Sequence, residues 1–180
     1  MIVRLASPKT AMHRRNPRLF SMAGPLCLAM VLCLSAPRAT LADPADGSPV
    51  IEVDQVIDVR AASAFDMFRF KPGLLRVPVG KRIRFLNMRG QHTVVSLRKM
   101  WPKDVPTIHL DNMSDSIIRF NKPGVYPLTC KVHGRHGMVM LVAVGDTFPN
   151  LEEAKAGIPG GMAGKRMRML IDELEGKTSQ

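Results

Sequence analysis

Val125–Met140 reads V-Y-P-L-T-C-K-V-H-G-R-H-G-M-V-M, and the rest of the chain is arranged around it. The first half alternates as a strand does, with Tyr126, Leu128 and Cys130 on one side. The second half turns between Gly134 and Gly137 and re-enters an apolar run that carries Met138 and Met140. That turn gathers a thiolate, an imidazole and a thioether in the pattern C-x-x-H-x-x-x-x-M, from Cys130, His133 and Met138. Thiolate and thioether are soft donors that suit Cu(I), imidazole serves either oxidation state, and a His₂Cys set with a long axial Met is a recurring copper arrangement. The loop is one imidazole short, and His92, in R-G-Q-H-T-V-V-S-L, is the candidate to supply it. The competing reading is an ordinary buried cysteine, because free Cys behaves as a small hydrophobe. Against it stands the Gly-flanked turn with His133 and His136, which a core strand does not need.

Upstream of this loop the chain is strand-like from Val50 onward, through V-I-E-V-D-Q-V-I-D-V-R, M-F-R-F-K-P and L-L-R-V-P-V-G-K-R-I-R-F-L-N. In the last of these Ile83 and Phe85 share one face and Arg82 and Arg84 the other, the period of a half-buried strand. Further short strands are expected at His92–Leu97, Ser116–Phe120, Val125–Cys130 and Met138–Val144, separated by Pro/Gly turns. Such spacing predicts an antiparallel sandwich or barrel. Downstream the period changes. Asn150, with Glu153 three residues on, reads as the N-cap of a helix over 150–157 that the Gly157–Gly161 stretch ends. Met167, Leu170, Ile171 and Leu174 then mark one face of an amphipathic helix over 162–175, expected to pack on the sheet.

At the other end, Arg4, Lys9, Arg14, Arg15 and Arg18 precede an apolar run from Leu19 to Ala36 and the small-residue context A-T-L-A-D. These are the parts of a secretory signal peptide over 1–42, with cleavage expected after Ala42, and a retained membrane anchor is the competing reading, disfavoured by Gly24 and Pro25 within the apolar run. A polar leader over 43–49 and a single domain over 50–180 would follow, with no membrane anchor after cleavage. Residues 1–42 hold six Lys/Arg and no Asp/Glu, so the net charge of +11 falls to 20 basic against 15 acidic groups, or +5. That charge bears on association and steering, and it lacks the clustered aromatic and Arg motifs of a nucleic-acid binder. Cys130 is the one cysteine beyond residue 42, so in an exported, disulfide-permissive compartment it has no partner within the chain.

Other uses of Cys130 fit less well. Haem attachment needs C-x-x-C-H, whereas Lys131, Val132 and His133 follow this cysteine. A structural zinc site wants more thiolates or paired histidines, and a Cys-His nucleophile lacks a third-residue pattern.

Taken together, F-R-F-K-P-G-L-L-R-V-P-V-G-K-R-I-R-F-L-N-M-R-G-Q-H, V-V-S-L-R-K-M-W-P, K-P-G-V-Y-P-L-T-C-K-V-H-G-R-H-G-M-V-M-L-V-A-V-G-D and the helical tail resemble the cupredoxins, and among them the pseudoazurin family. The likeness runs from about Phe68 to Glu175. It implies a mainly β Greek-key sandwich or barrel with a C-terminal pair of helices. It also implies one copper ion held by His92, Cys130 and His133, with Met138 as axial ligand. Two departures stand out: Thr93 replaces the Asn that usually follows the first ligand histidine, and His136 stands where an apolar group is common. The resemblance implies a periplasmic, monomeric type 1 copper protein that carries single electrons and is not an enzyme. Its partners would be c-type cytochromes or periplasmic oxidoreductases such as copper nitrite reductase. A periplasmic copper chaperone or storage protein, which would draw on the same soft donors, is the alternative.

Overall fold

In the computed structural model, which describes residues 49–86, 91–111 and 116–177, nine strands form two sheets. One sheet has the order β2 (Phe68–Lys71), β1 (Ile51–Ile57), β4 (Arg82–Leu86), β7 (Ser116–Arg119). The other runs β3 (Leu74–Val77), β9 (Val139–Val144), β8 (Gly124–Thr129), β5 (Val94–Ser96), β6 (His109–Leu110). The export signal expected over 1–42, and the leader up to residue 48, lie outside the described residues.

The sheets are mixed, which corrects the expectation of a purely antiparallel sandwich. β1 lies parallel to β4, with Val53 opposite Phe85, and β3 lies parallel to β9, with Leu75 opposite Val142. Parallel neighbours need a long crossover between them. Here the chain supplies it by visiting the other sheet before it returns. Side-chain alternation is the same for either strand direction, so the sequence pattern was silent on this point.

Each strand forms where one face can be buried. Ile83 and Phe85 are fully buried on β4 while Arg82 and Arg84 are only partly covered. β9 has no polar face: Met140, Val142 and Val144 enter the core between the sheets, and Val139, Leu141 and Ala143 enter a second core under the helices. This explains why V-M-L-V-A-V reads as a continuous apolar run rather than an alternating one.

The second core is closed by α2 (Leu151–Ala156) and α3 (Gly161–Leu174), through Ala154, Met167, Leu170, Ile171 and Leu174. Asn150 stands at the N-cap position of α2, yet its side chain does not cap the helix. It forms a two-way bracket on β8 instead, with Oδ1 accepting from the Val125 N–H at 2.9 Å and Nδ2 donating to the Val125 carbonyl at 2.8 Å. One further helical turn, α1 (Ala64–Met67), leads directly into β2.

Candidate metal centre

The loop from Cys130 to Met138 leaves β8 and enters β9, and its own backbone closes it. The Cys130 N–H donates to the Met138 carbonyl at 3.0 Å and the Gly134 N–H to the Cys130 carbonyl at 2.7 Å. Within it, His136 N–H reaches the His133 carbonyl and Gly137 N–H the Gly134 carbonyl, each at 2.9 Å. Gly137 has φ +92°, a conformation that L side chains disfavour, and a Cβ there would lie 2.8 Å from the Phe65 ring. A Cβ on Gly134 would meet the Thr129 hydroxyl at 2.5 Å. The two glycines thus let the loop fold tightly against its neighbours.

The loop brings Cys130 and His133 to His92. Cys130 Sγ lies 3.8 Å from His92 Nδ1 and 3.7 Å from His133 Nδ1, and the two nitrogens are 3.1 Å apart. The point equidistant from these three atoms lies about 2.1 Å from each, close to the nitrogen and sulfur bond lengths of a divalent first-row ion. Among the described residues this is the one group of three or more His, Cys, Asp or Glu side chains arranged to hold a metal ion. His92 is 0 % and Cys130 1 % exposed, whereas His133 is half-buried. Met138 and Met140 are both buried in the core between the sheets. His109 lies elsewhere, on β6, 3.3 Å from Asp111.

The electrostatics favour the ligating forms of these groups. Burial holds the His92 imidazole below its ordinary pKa, so it stays neutral and keeps a lone pair. For Cys130 burial alone would push the thiol up. Backbone N–H groups of Thr93, His133 and Val132 directed at the sulfur outweigh it, with the His133 side chain adding to them, and the net pKa is lowered. Prepaid hydrogen bonds to a buried thiolate are what a soft metal ligand requires.

Thr93 has a second task that the sequence left uncertain. Its hydroxyl accepts from the Lys131 N–H at 2.8 Å and so ties the His92 loop to the Cys130 loop. Thr93→Val, close in shape, would leave that N–H unpaired, and such a group costs about 1–3 kcal/mol. The expected result is a lower urea midpoint for the metal-free protein, and an unchanged midpoint would contradict the tie.

One residue at the site was missed by sequence reasoning. Phe68, the first residue of β2, stacks on the His133 ring with centroids 4.0 Å apart and planes 6° apart. The contact joins residues far apart in the chain, and F-R-F-K-P, a regular apolar–basic alternation, carries no mark of it. His136 lies 5.7 Å from the same Phe68 ring and accepts from Arg135 Nε at 3.0 Å, so it is tethered at the rim of the loop.

No protein-family model matches the chain. Comparison with known proteins is informative all the same. The chain is 33 % identical over 109 residues to a pseudoazurin of Methylorubrum extorquens, covering 61 % of this chain and 74 % of that one. The crystal structure of pseudoazurin from Methylobacterium extorquens superposes with a TM-score of 0.63 at 29 % identity, over 70 % of this chain and 99 % of that one. That of native pseudoazurin from Hyphomicrobium denitrificans gives 0.62 at 28 % identity, over 73 % and 100 %. A one-third identity sustained across three quarters of a pseudoazurin, together with the shared two-sheet fold, makes this chain a member of the pseudoazurin family.

Proposed function

We propose that the protein is a type 1 blue copper electron carrier of the periplasm, in which His92, Cys130 and His133 hold one copper ion and Met138 supplies the axial thioether. The observation that carries this reading is the convergence of two Nδ1 atoms and one Sγ at 3.1–3.8 Å of one another. A copper ion so held supplies one-electron chemistry between Cu(I) and Cu(II).

The residues around it do the rest. Hydrogen bonds from the backbone lower the pKa of Cys130 against the effect of burial and so favour the thiolate that a metal takes. Thr93 and the closed 130–138 loop fix the donors, so little rearrangement accompanies a change of charge at the site. Enclosure of His92, Cys130 and Met138 supports a carrier over a chaperone, because a chaperone hands its ion to a partner through exposed donors. His133, half-buried at the surface, is the route for the electron. The export signal read over 1–42 supports the periplasm. Among the described residues no helix is long and apolar enough to cross a membrane.

Lys131 and Arg135 are exposed on either side of His133, and Val132 beside them is 43 % exposed. A small apolar contact with a basic rim fits a partner that bears acidic groups around its own cofactor, such as a c-type cytochrome or a copper nitrite reductase. The carrier would act as a monomer. Complementary charge mainly raises the association rate and is screened over about 8 Å at physiological ionic strength. The test is the second-order electron-transfer rate with an acidic cytochrome, measured as salt rises. Lys131→Glu/Arg135→Glu is expected to lower the low-salt rate about tenfold, the lower end of steering effects, with the two proteins converging at high salt. Rates indifferent to both salt and substitution would put docking on another face.

A further inference from the structure

The turn that leads into the Phe68–His133 stack is met by the C-terminal helix. α1 is a single turn of four residues, too short to be stable on its own. Its Ser63 cap, with the hydroxyl accepting from the Asp66 N–H at 3.3 Å and donating to the Asp66 carboxylate at 2.8 Å, is exposed. Yet the turn carries Phe65, whose ring lies against Gly137 beside Met138, and ends at Phe68, which stacks on His133. It therefore touches the metal loop at both ends.

Arg166 of α3 contacts this turn in three ways. The guanidinium carbon sits 3.8 Å from the Phe65 ring centroid, on the ring face. Its Nη2 donates to the Phe65 carbonyl and lies 3.7 Å from the Asp66 carboxylate. The side chain is only 15 % exposed, so this combination of ring, carbonyl and carboxylate contacts is partly desolvated and stronger than a surface pair. Lys165, the neighbouring cation, lies 5.4 Å from the same ring.

We propose that Arg166 is a positioning residue for the metal site: by clamping Phe65 and Asp66 it fixes the α1 turn, and through Phe68 it sets the orientation of the His133 ring. Its consequence for electron transfer rests on reading His133 as a ligand; the clamp itself does not. The side chain of Arg166 meets Phe65 and Asp66 of the turn, while the body of α3 also packs directly on the Gly134–His136 turn of the metal loop.

The experiment compares wild type, Arg166→Met, Arg166→Lys and Arg76→Met, first without metal. Arg76 donates to the carbonyls of Glu173 and Leu174 at the far end of α3, so its loss loosens the helix without touching α1. For Arg166→Met, amide exchange of Asp66 and Met67 should accelerate roughly tenfold, a fair return for one partly desolvated cation–π clamp. The His133 ring resonances should broaden with it. Arg166→Lys should recover only part of the loss, since an ammonium lacks the planar fork, and Arg76→Met should leave both readouts as in wild type. With copper bound, Arg166→Met and Phe68→Leu should shift the reduction potential in the same direction, and the double variant should match Phe68→Leu alone. Unchanged exchange and ring signals in Arg166→Met, equal changes in Arg76→Met, or additive shifts in the double variant would overturn the proposal. A wild-type protein without a thiolate band on copper addition would instead sink the ligand reading, while the metal-free arm still decided for or against the clamp.

Discussion

Cys130→Ser is expected to abolish the intense visible band of the copper-loaded protein and leave the sandwich folded. The band requires a Cu(II)–thiolate bond, and serine offers a hydroxyl that does not ionise under the same conditions. The N–H groups that now face the sulfur would still find an oxygen to bond. Cys130 is nearly fully buried in the core between the sheets, so the exchange puts a polar group there at a cost of about 1–3 kcal/mol. A β-sandwich of this size tolerates that loss, and a retained near-ultraviolet signal from Trp101 and Tyr126, both buried nearby in the same core, would confirm it. A variant that stayed blue would remove Cys130 from the site.

The second large effect concerns which methionine completes the site. Met138 and Met140 share a strand face, both are fully buried, and both belong to the same core. Their surroundings differ. Met138 closes the ligand loop, with its carbonyl accepting from Cys130 N–H at 3.0 Å and from the Thr129 hydroxyl at 3.3 Å. Met140 lies opposite Leu128 within the β8–β9 ladder, one rung in from the end nearest the loop. Met138→Gln would replace a soft thioether by a harder amide oxygen, which favours Cu(II) over Cu(I) and lowers the reduction potential. A tenfold change in relative affinity for the two states corresponds to about 59 mV for one electron, and a fall of roughly that size or more is expected. Met140→Leu, a volume-conserving core exchange, should cost under about 1.5 kcal/mol of stability and hardly move the potential. Equal or reversed shifts would mean that Met140 is the axial residue.

Much of this architecture could be read before any coordinates. Alternation at Ile83 and Phe85 gave the burial of β4, and Tyr126, Leu128 and Cys130 do enter the core together. The stripe of Met167, Leu170, Ile171 and Leu174 does cover the sheet. These signals are local, because each element buries one face whatever lies opposite. Two kinds of information were beyond their reach. Strand direction was one: Leu75 pairs with Val142 in a parallel ladder, and nothing in either segment's period encodes it. The other was contact between distant side chains. Phe68 on His133, Arg166 on Phe65 and Asn150 on Val125 each join residues whose local patterns are ordinary. Asn150 is instructive, since its position before a helix suggested a cap and tertiary pairing took its side chain instead. Thr93 lay between these cases: the resemblance marked it as a departure, and only the structure shows that its hydroxyl accepts from the Lys131 N–H across the two loops.

The central claim is that His92, Cys130, His133 and Met138 form one type 1 copper site, and titration of the metal-free protein with Cu(II), followed by visible absorption and electron paramagnetic resonance, tests it most directly. The account predicts an intense blue band that saturates at one copper per chain, a single Cu(II) signal of high covalency, and reversible bleaching by one electron equivalent. Copper uptake without the band, or a colourless signal typical of nitrogen and oxygen ligands alone, would contradict it.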